Sequence, residues 1–178
     1  MSTYISGGCK MGKSMWAQRI ALAYAGREPL YYIATMLPGD EEDEARIRRH
    51  REERAGLGFI TLERGRDILL ALDGADPSGA FLVDSVTALL ANEMFDARGF
   101  YPEAGEKVAD DLEAFVARAP NTVIVSDFIF SDAAIYDDTT EAYRAALALV
   151  DRRMAARCDN VLEIAAGIPI IHKGVLPI

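Results

Sequence analysis

Gly7-Gly8-Cys9-Lys10-Met11-Gly12-Lys13-Ser14 satisfies G-x-x-x-x-G-K-[ST] at every position. Residues of these types at this spacing suit the holding of a polyphosphate. The glycines let the backbone curl until successive N–H groups converge on phosphate oxygens, and the N-terminus of a following helix adds a partial positive charge. Lys13 then reaches the β- and γ-phosphates, and Ser14 Oγ ligates Mg²⁺. The implied ligand is a nucleoside triphosphate with Mg²⁺. A Gly-rich turn with an incidental lysine is the plain alternative, but the run follows a short apolar strand and opens a helix, as the mechanism requires. Cys9 raises a second alternative, a cysteine phosphatase loop with a thiol nucleophile. Such a loop wants an arginine six residues on, where this chain has Met15, so Cys9 reads as the filler of a variable position.

A nucleotide site of this kind also needs a carboxylate at a strand end. Phe81-Leu82-Val83-Asp84 supplies one and Val123-Ile124-Val125-Ser126-Asp127 a second of the same form. Asp84 is the preferred partner of Ser14 in holding Mg²⁺, and either acid reads equally as a helix N-cap. The third group with chemistry is His50. It lies in a charged stretch that opens with Asp40-Glu41-Glu42-Asp43-Glu44 and continues through Arg46, Arg48, Arg49, Arg51 and Arg54. Acids first and bases later complement a helix dipole, and Glu42–Arg46 and Glu44–Arg48 are favourable i,i+4 pairs. Arg46, His50 and Arg54 recur every four residues and share one face, a stripe that suits polyphosphate better than a core. With little but Ile47 and a few alanines to bury, the helix is expected to project from the domain over residues 40–55. His172 lies beside an apolar C-terminal strand and reads as structural.

The elements that must position these groups alternate. Strands are expected at 3–6, 30–35, 59–63, 80–84, 122–125, 161–165 and 168–171. Helices are expected at 12–25 (with Trp16, Ile20 and Ala23 on one face), 40–55, 66–72, 85–96, 103–119 and 141–157. Strands such as Leu30-Tyr31-Tyr32-Ile33-Ala34 and Ala80-Phe81-Leu82-Val83 are apolar throughout rather than alternating. Such strands belong to a parallel sheet covered by helices on both faces. The fold class is α/β, a mostly parallel sheet in a single domain spanning 1–178.

Composition narrows the function further. Of 178 residues, 51% are hydrophobic and 26% charged, which is globular rather than disordered. Nineteen Lys and Arg against twenty-eight Asp and Glu leave a net charge of −9. That surplus repels nucleic acid and anionic membrane over most of the surface, so an anionic ligand must bind where cations or N–H groups are concentrated. Two cysteines form no disulfide framework, and no apolar run suggests a leader or membrane insertion. A cytoplasmic protein is expected.

Taken in order along nearly the whole chain, these motifs resemble the bifunctional adenosylcobinamide kinase / adenosylcobinamide-phosphate guanylyltransferase family of cobalamin biosynthesis. The resemblance rests on Gly7 to Ser14 at the N-terminus, Tyr32-Ile33-Ala34-Thr35, Ala45-Arg46-Ile47 with His50 and Arg54, and Thr61-Leu62-Glu63. It continues through Val83-Asp84-Ser85-Val86-Thr87 with Asn92, to Ala166-Gly167-Ile168-Pro169 and Lys173. It implies a RecA-like P-loop fold, GTP and/or ATP as the nucleotide substrate, a corrinoid small-molecule substrate and a homo-oligomer with the histidine helix near a subunit boundary. It implies that His50 is the residue that becomes guanylylated. Nucleotide contacts are implied at Ala34, Thr35, Met36, Arg51, Glu52, Glu53, Arg54, Glu63 and Asp84, beside those of the loop itself. Two departures stand out: Lys10-Met11 within the loop, and Ser126 to Asp132 where the family typically has a glycine-rich Asn-Glu-Val-Gly-like segment. The competing classes are another small-molecule P-loop kinase without a covalent step and a nucleotide-binding module that has lost one activity.

Overall fold

In the computed structural model, residues 1–39 and 41–178 are described, apart from the side chains of Glu42, Asp43, Arg46 and Glu53. Five apolar segments become parallel strands: β1 (Thr3–Gly7), β2 (Leu30–Ala34), β4 (Ala80–Asp84), β7 (Thr122–Val125) and β8 (Asn160–Ala165). With β3 (Ile60–Glu63) at one edge and β9 (Ile168–Lys173) at the other, the order is β3-β2-β4-β7-β1-β8-β9. Only β9 runs antiparallel to its neighbour, because two residues, Ala166 and Gly167, turn the chain straight back from β8.

Successive side chains of each strand point to opposite faces, and each face has its own cover. Tyr31, Ile33, Phe81, Val83 and Ile124 join one cluster with helices α3 (Val86–Met94), α4 (Ala104–Arg118) and α5 (Asp138–Arg157), together with a 3-10 turn at Ile68–Leu72. Tyr31 stacks on Phe81 at 4.8 Å between centroids, and Phe115 of α4 meets Phe81 edge-on at 5.4 Å. Ile5, Leu30, Tyr32, Leu82, Val123 and Leu162 face the other way, onto α1 (Lys13–Ala25). Each fully buried Leu, Ile or Phe in these layers contributes about 1.5–3 kcal/mol.

The buried stripe of α1 differs from the expected one. Ala17, Ile20, Ala21 and Ala25 face the sheet, whereas Ala23 is exposed. Trp16 sits at the margin, donating its indole N–H to Gly167 O at 2.9 Å beneath the Arg19 guanidinium. The sheet selects the small residues because they let the helix approach closely, and the indole keeps its polar edge outward. The helix expected from Glu141 begins at Asp138, capped by the Asp137 carboxylate on the Thr140 N–H at 2.7 Å. The helix expected from 85 to 96 stops at Met94, and β5 (Phe95–Asp96) and β6 (Gly99–Phe100) form an unanticipated hairpin. The charged stretch is helix α2 (Glu41–Glu53), set between β2 and β3. Among the described residues no helix is long and apolar enough to cross a membrane.

Candidate active site

The phosphate loop is fixed at both ends by backbone geometry. Gly7 closes β1 opposite Ile164 of β8, and a Cβ there would lie 2.6 Å from the Ile164 carbonyl oxygen. Gly12 adopts φ 93°, the left-handed region that glycine enters without penalty. α1 starts directly after it with no side-chain cap and no acid in its first turn. The amides and dipole of that helix end therefore face the loop without a built-in anion. Lys13 is 7% exposed and curls back: Nζ donates to Gly8 O at 2.7 Å and pairs with Asp127 Oδ1 at 2.7 Å. Asp127 follows β7, the strand next to β1, and its N–H donates to Thr87 Oγ1 at 3.0 Å.

Asp84 ends β4, one strand further along. Its Oδ2 accepts a hydrogen bond from the Tyr32 hydroxyl at 2.7 Å. The N-cap role goes to Ser85, whose Oγ accepts from the Ala88 N–H, so the Asp84 carboxylate remains in the cleft. Ser85 is also latched to Thr35: its N–H donates to Thr35 Oγ1 at 2.7 Å and its carbonyl accepts from that hydroxyl at 2.8 Å. Asn92 Nδ2 donates to the carbonyls of Thr35 and Gly65, joining the ends of β2 and β3 to α3.

Tyr32 also holds down the chain that returns from α2. The Arg54 guanidinium lies 3.4 Å above the ring and is 7% exposed, and Phe59 meets the same ring edge-on at 5.9 Å. Arg51 pairs with Glu63 of β3. A helix with little to bury is thus secured at its C-terminal end by one aromatic face and one ion pair. His50 and Ile47 are half-buried, and with Arg48 and Arg49 they border a cleft of about 1200 Å³ whose other wall is the phosphate loop.

Of the residues singled out by sequence, Cys9, Lys10, Met11, Gly12, Lys13 and Ser14 line that cleft. So do Ala34, Met36, His50, Arg51, Arg54, Glu63 and Asp84. Gly7 and Gly8 shape the loop without lining the cleft, Thr35 is buried against Ser85, and Glu52 points to solvent. The Arg46 and Glu53 side chains lie outside the described residues. His172 stands on β9 away from the cleft, 2.9 Å from Glu163. Sequence reasoning missed Arg64, which lines the cleft, and the double use of Tyr32. It also missed Asp151 of α5, whose carboxylate burial pushes up to about 6 against the opposing hydrogen bond from Ser126 Oγ at 2.8 Å.

An uncapped helix start behind a glycine loop, a lysine at its mouth and carboxylates on two neighbouring parallel strand ends define a P-loop nucleotide-binding protein of the α/β class. A protein from Pyrococcus horikoshii OT3 shares the fold with a TM-score of 0.51 at 10% identity, covering 98% of this chain and 86% of that one. The family model for cobinamide kinase / cobinamide phosphate guanyltransferase matches residues 3–171, and the chain belongs to that family. It is 28% identical to the bifunctional adenosylcobalamin biosynthesis protein CobU of Salmonella typhimurium, covering 97% of this chain and all of that one. It is 29% identical to CobP of Pseudomonas aeruginosa, another protein of that description, with 98% of each chain covered.

Proposed function

We propose that this chain phosphorylates adenosylcobinamide and then transfers GMP from GTP to the resulting phosphate through a guanylylated His50. The observation that carries the reading is the shared cleft: His50 on one wall, the loop with Lys13 and the α1 N-terminus on the other. In the guanylyl half-reaction an imidazole nitrogen attacks the α-phosphorus and pyrophosphate leaves. The phosphate of the corrinoid then displaces the imidazole, forming the GDP-linked product. In the kinase half-reaction the γ-phosphoryl of ATP or GTP passes to the substrate hydroxyl. Both steps depend mainly on positioning and charge, supplied by the loop N–H groups, Lys13 and the cleft arginines.

The loop residues Gly7 to Ser14 are assigned to the phosphates. Ala34, Met36, Arg51, Arg54, Glu63 and Asp84, which line the cleft, are assigned to the nucleotide, Thr35 acting through the Ser85 latch, whereas Glu52 points to solvent. Mg²⁺ bound with a nucleotide needs only one or two protein oxygens beside phosphate and water. Ser14 and Asp84 both border the cleft and fit that need, although among the described residues no cluster of three or more acids, histidines or cysteines forms a self-sufficient cage. When bound there, the ion would neutralise charge on the transferring phosphate. A cytoplasmic homo-oligomer completes the proposal. Ile168, Ile170 and Ile171 of the edge strand β9 are 65%, 43% and 49% exposed, an apolar edge that self-association would cover.

Incubation with α-labelled GTP and Mg²⁺ is expected to leave acid-labile, alkali-stable label on the protein. His50→Ala abolishes it and spares phosphorylation of adenosylcobinamide, while Lys13→Ala depresses both. Label persisting on His50→Ala would overturn the assignment of the nucleophile.

A further inference from the structure

Two carboxylates border the phosphate site from adjacent strands, and their surroundings divide the work between them. Asp84 is engaged by a neutral hydroxyl, that of Tyr32, and lies two strands from the loop. Asp127 follows β7, the strand beside β1, and touches the Lys13 ammonium at 2.7 Å. A P-loop lysine reaches the β- and γ-phosphates. A carboxylate in contact with that ammonium is therefore within one residue's reach of the γ-phosphorus. Its backbone is anchored by the Thr87 hydroxyl, and its side chain is 24% exposed on the cleft wall. It is at once accessible to an acceptor hydroxyl and held in place.

We propose that Asp127 is the general base of the kinase half-reaction, a role the guanylyl half-reaction does not require. The inference rests on the bifunctional reading above. When a triphosphate takes the Lys13 ammonium, the freed Asp127 carboxylate accepts the proton of the acceptor alcohol. That O–H bond breaks as the alcohol oxygen bonds to the γ-phosphorus. The bond from the γ-phosphorus to the β,γ-bridging oxygen breaks, and the nucleoside diphosphate leaves with its electron pair. The proton on Asp127 passes to water when the product departs. In the guanylyl half-reaction the nucleophile is an imidazole nitrogen and the acceptor an already ionised phosphate, so no hydroxyl proton needs a base.

Asp127→Asn tests this in the full-length protein, with adenosylcobinamide and ATP for the kinase and α-labelled GTP for the adduct. Kinase kcat is expected to fall about 10²–10³-fold. Labelling of His50 is expected to persist and Mg²⁺-dependent binding of a fluorescent GTP analogue to be at least as tight as the parent's, since Lys13 then gives up no carboxylate, and Asp127→Glu to recover part of the kinase rate. Undiminished kinase turnover in Asp127→Asn would overturn the proposal. Parallel loss of turnover, adduct and Mg²⁺-dependent binding would also overturn it, marking Asp127 as a metal ligand or a support for the loop. Failure of the parent protein itself to form the adduct or the phosphate would instead remove the bifunctional reading.

Discussion

Removing the Arg54 side chain is expected to unfasten α2 from the sheet, and the size of the effect follows from what it touches. Its guanidinium lies 3.4 Å over the Tyr32 ring and is 7% exposed. A desolvated cation over an aromatic face contributes about 2 kcal/mol, and the stem buried beneath it adds packing that alanine does not replace. Arg54→Ala therefore costs roughly 2–4 kcal/mol. A kilocalorie shifts the melting midpoint of a chain this long by about 2–4 °C, so the midpoint falls by about 4–16 °C. Arg54→Lys keeps the charge but not the planar stack and falls in between. Calorimetric melts of both variants, with a double-mutant cycle against Tyr32→Leu, isolate the pair. The expected coupling is about 1–2 kcal/mol. Because His50 lies four residues before the anchor, the rate of GMP adduct formation is expected to fall further than stability at the assay temperature accounts for. A coupling indistinguishable from zero, or an Arg54→Ala protein melting within about 1 °C of the parent, would refute the anchoring role.

Two more perturbations have defined outcomes. Asp151 titrates near 6 in the fold against an ordinary value of 3.8, so between those values the folded chain binds more protons than the unfolded one and stability declines as pH rises through that window. Asp151→Asn is expected to gain on the parent by up to ~3 kcal/mol between pH 4 and pH 8; urea midpoints at the two pH values check this, and an unchanged difference would contradict it. Gly7→Ala sets a Cβ 2.6 Å from the Ile164 carbonyl oxygen, where backbone faces backbone and neither side swings away. A loss of about 1–3 kcal/mol together with weaker triphosphate binding is expected by calorimetry.

The architecture was legible because the inner strands carry apolar residues on both faces, a pattern only a doubly covered parallel sheet explains. The hairpin at Phe95–Phe100 was not, since strands of two residues leave no periodicity to read. Within the site, the loop was legible because all its chemistry is local in sequence. The partner of Lys13 was not: Asp127 stands more than a hundred residues away, and only the adjacency of β1 and β7 joins them. By sequence that second acid reads as a rival of Asp84, because a strand-end carboxylate looks alike in any role. Tyr32 was hidden for another reason. A tyrosine in an apolar run reads as a strand former, and nothing in the run reveals that its hydroxyl meets Asp84 while its ring carries Arg54.

The lysine at the mouth of the loop already holds two oxygen partners, one from its own loop and one from β7. An arriving ligand therefore swaps contacts rather than adding them, and the swap favours binding only when the newcomer offers that ammonium at least as much negative charge as it gives up. A ligand whose phosphates stop short of the ammonium gains nothing from the trade, whatever its charge. The loop thus acts as a threshold that rewards a phosphate chain long enough to reach the lysine.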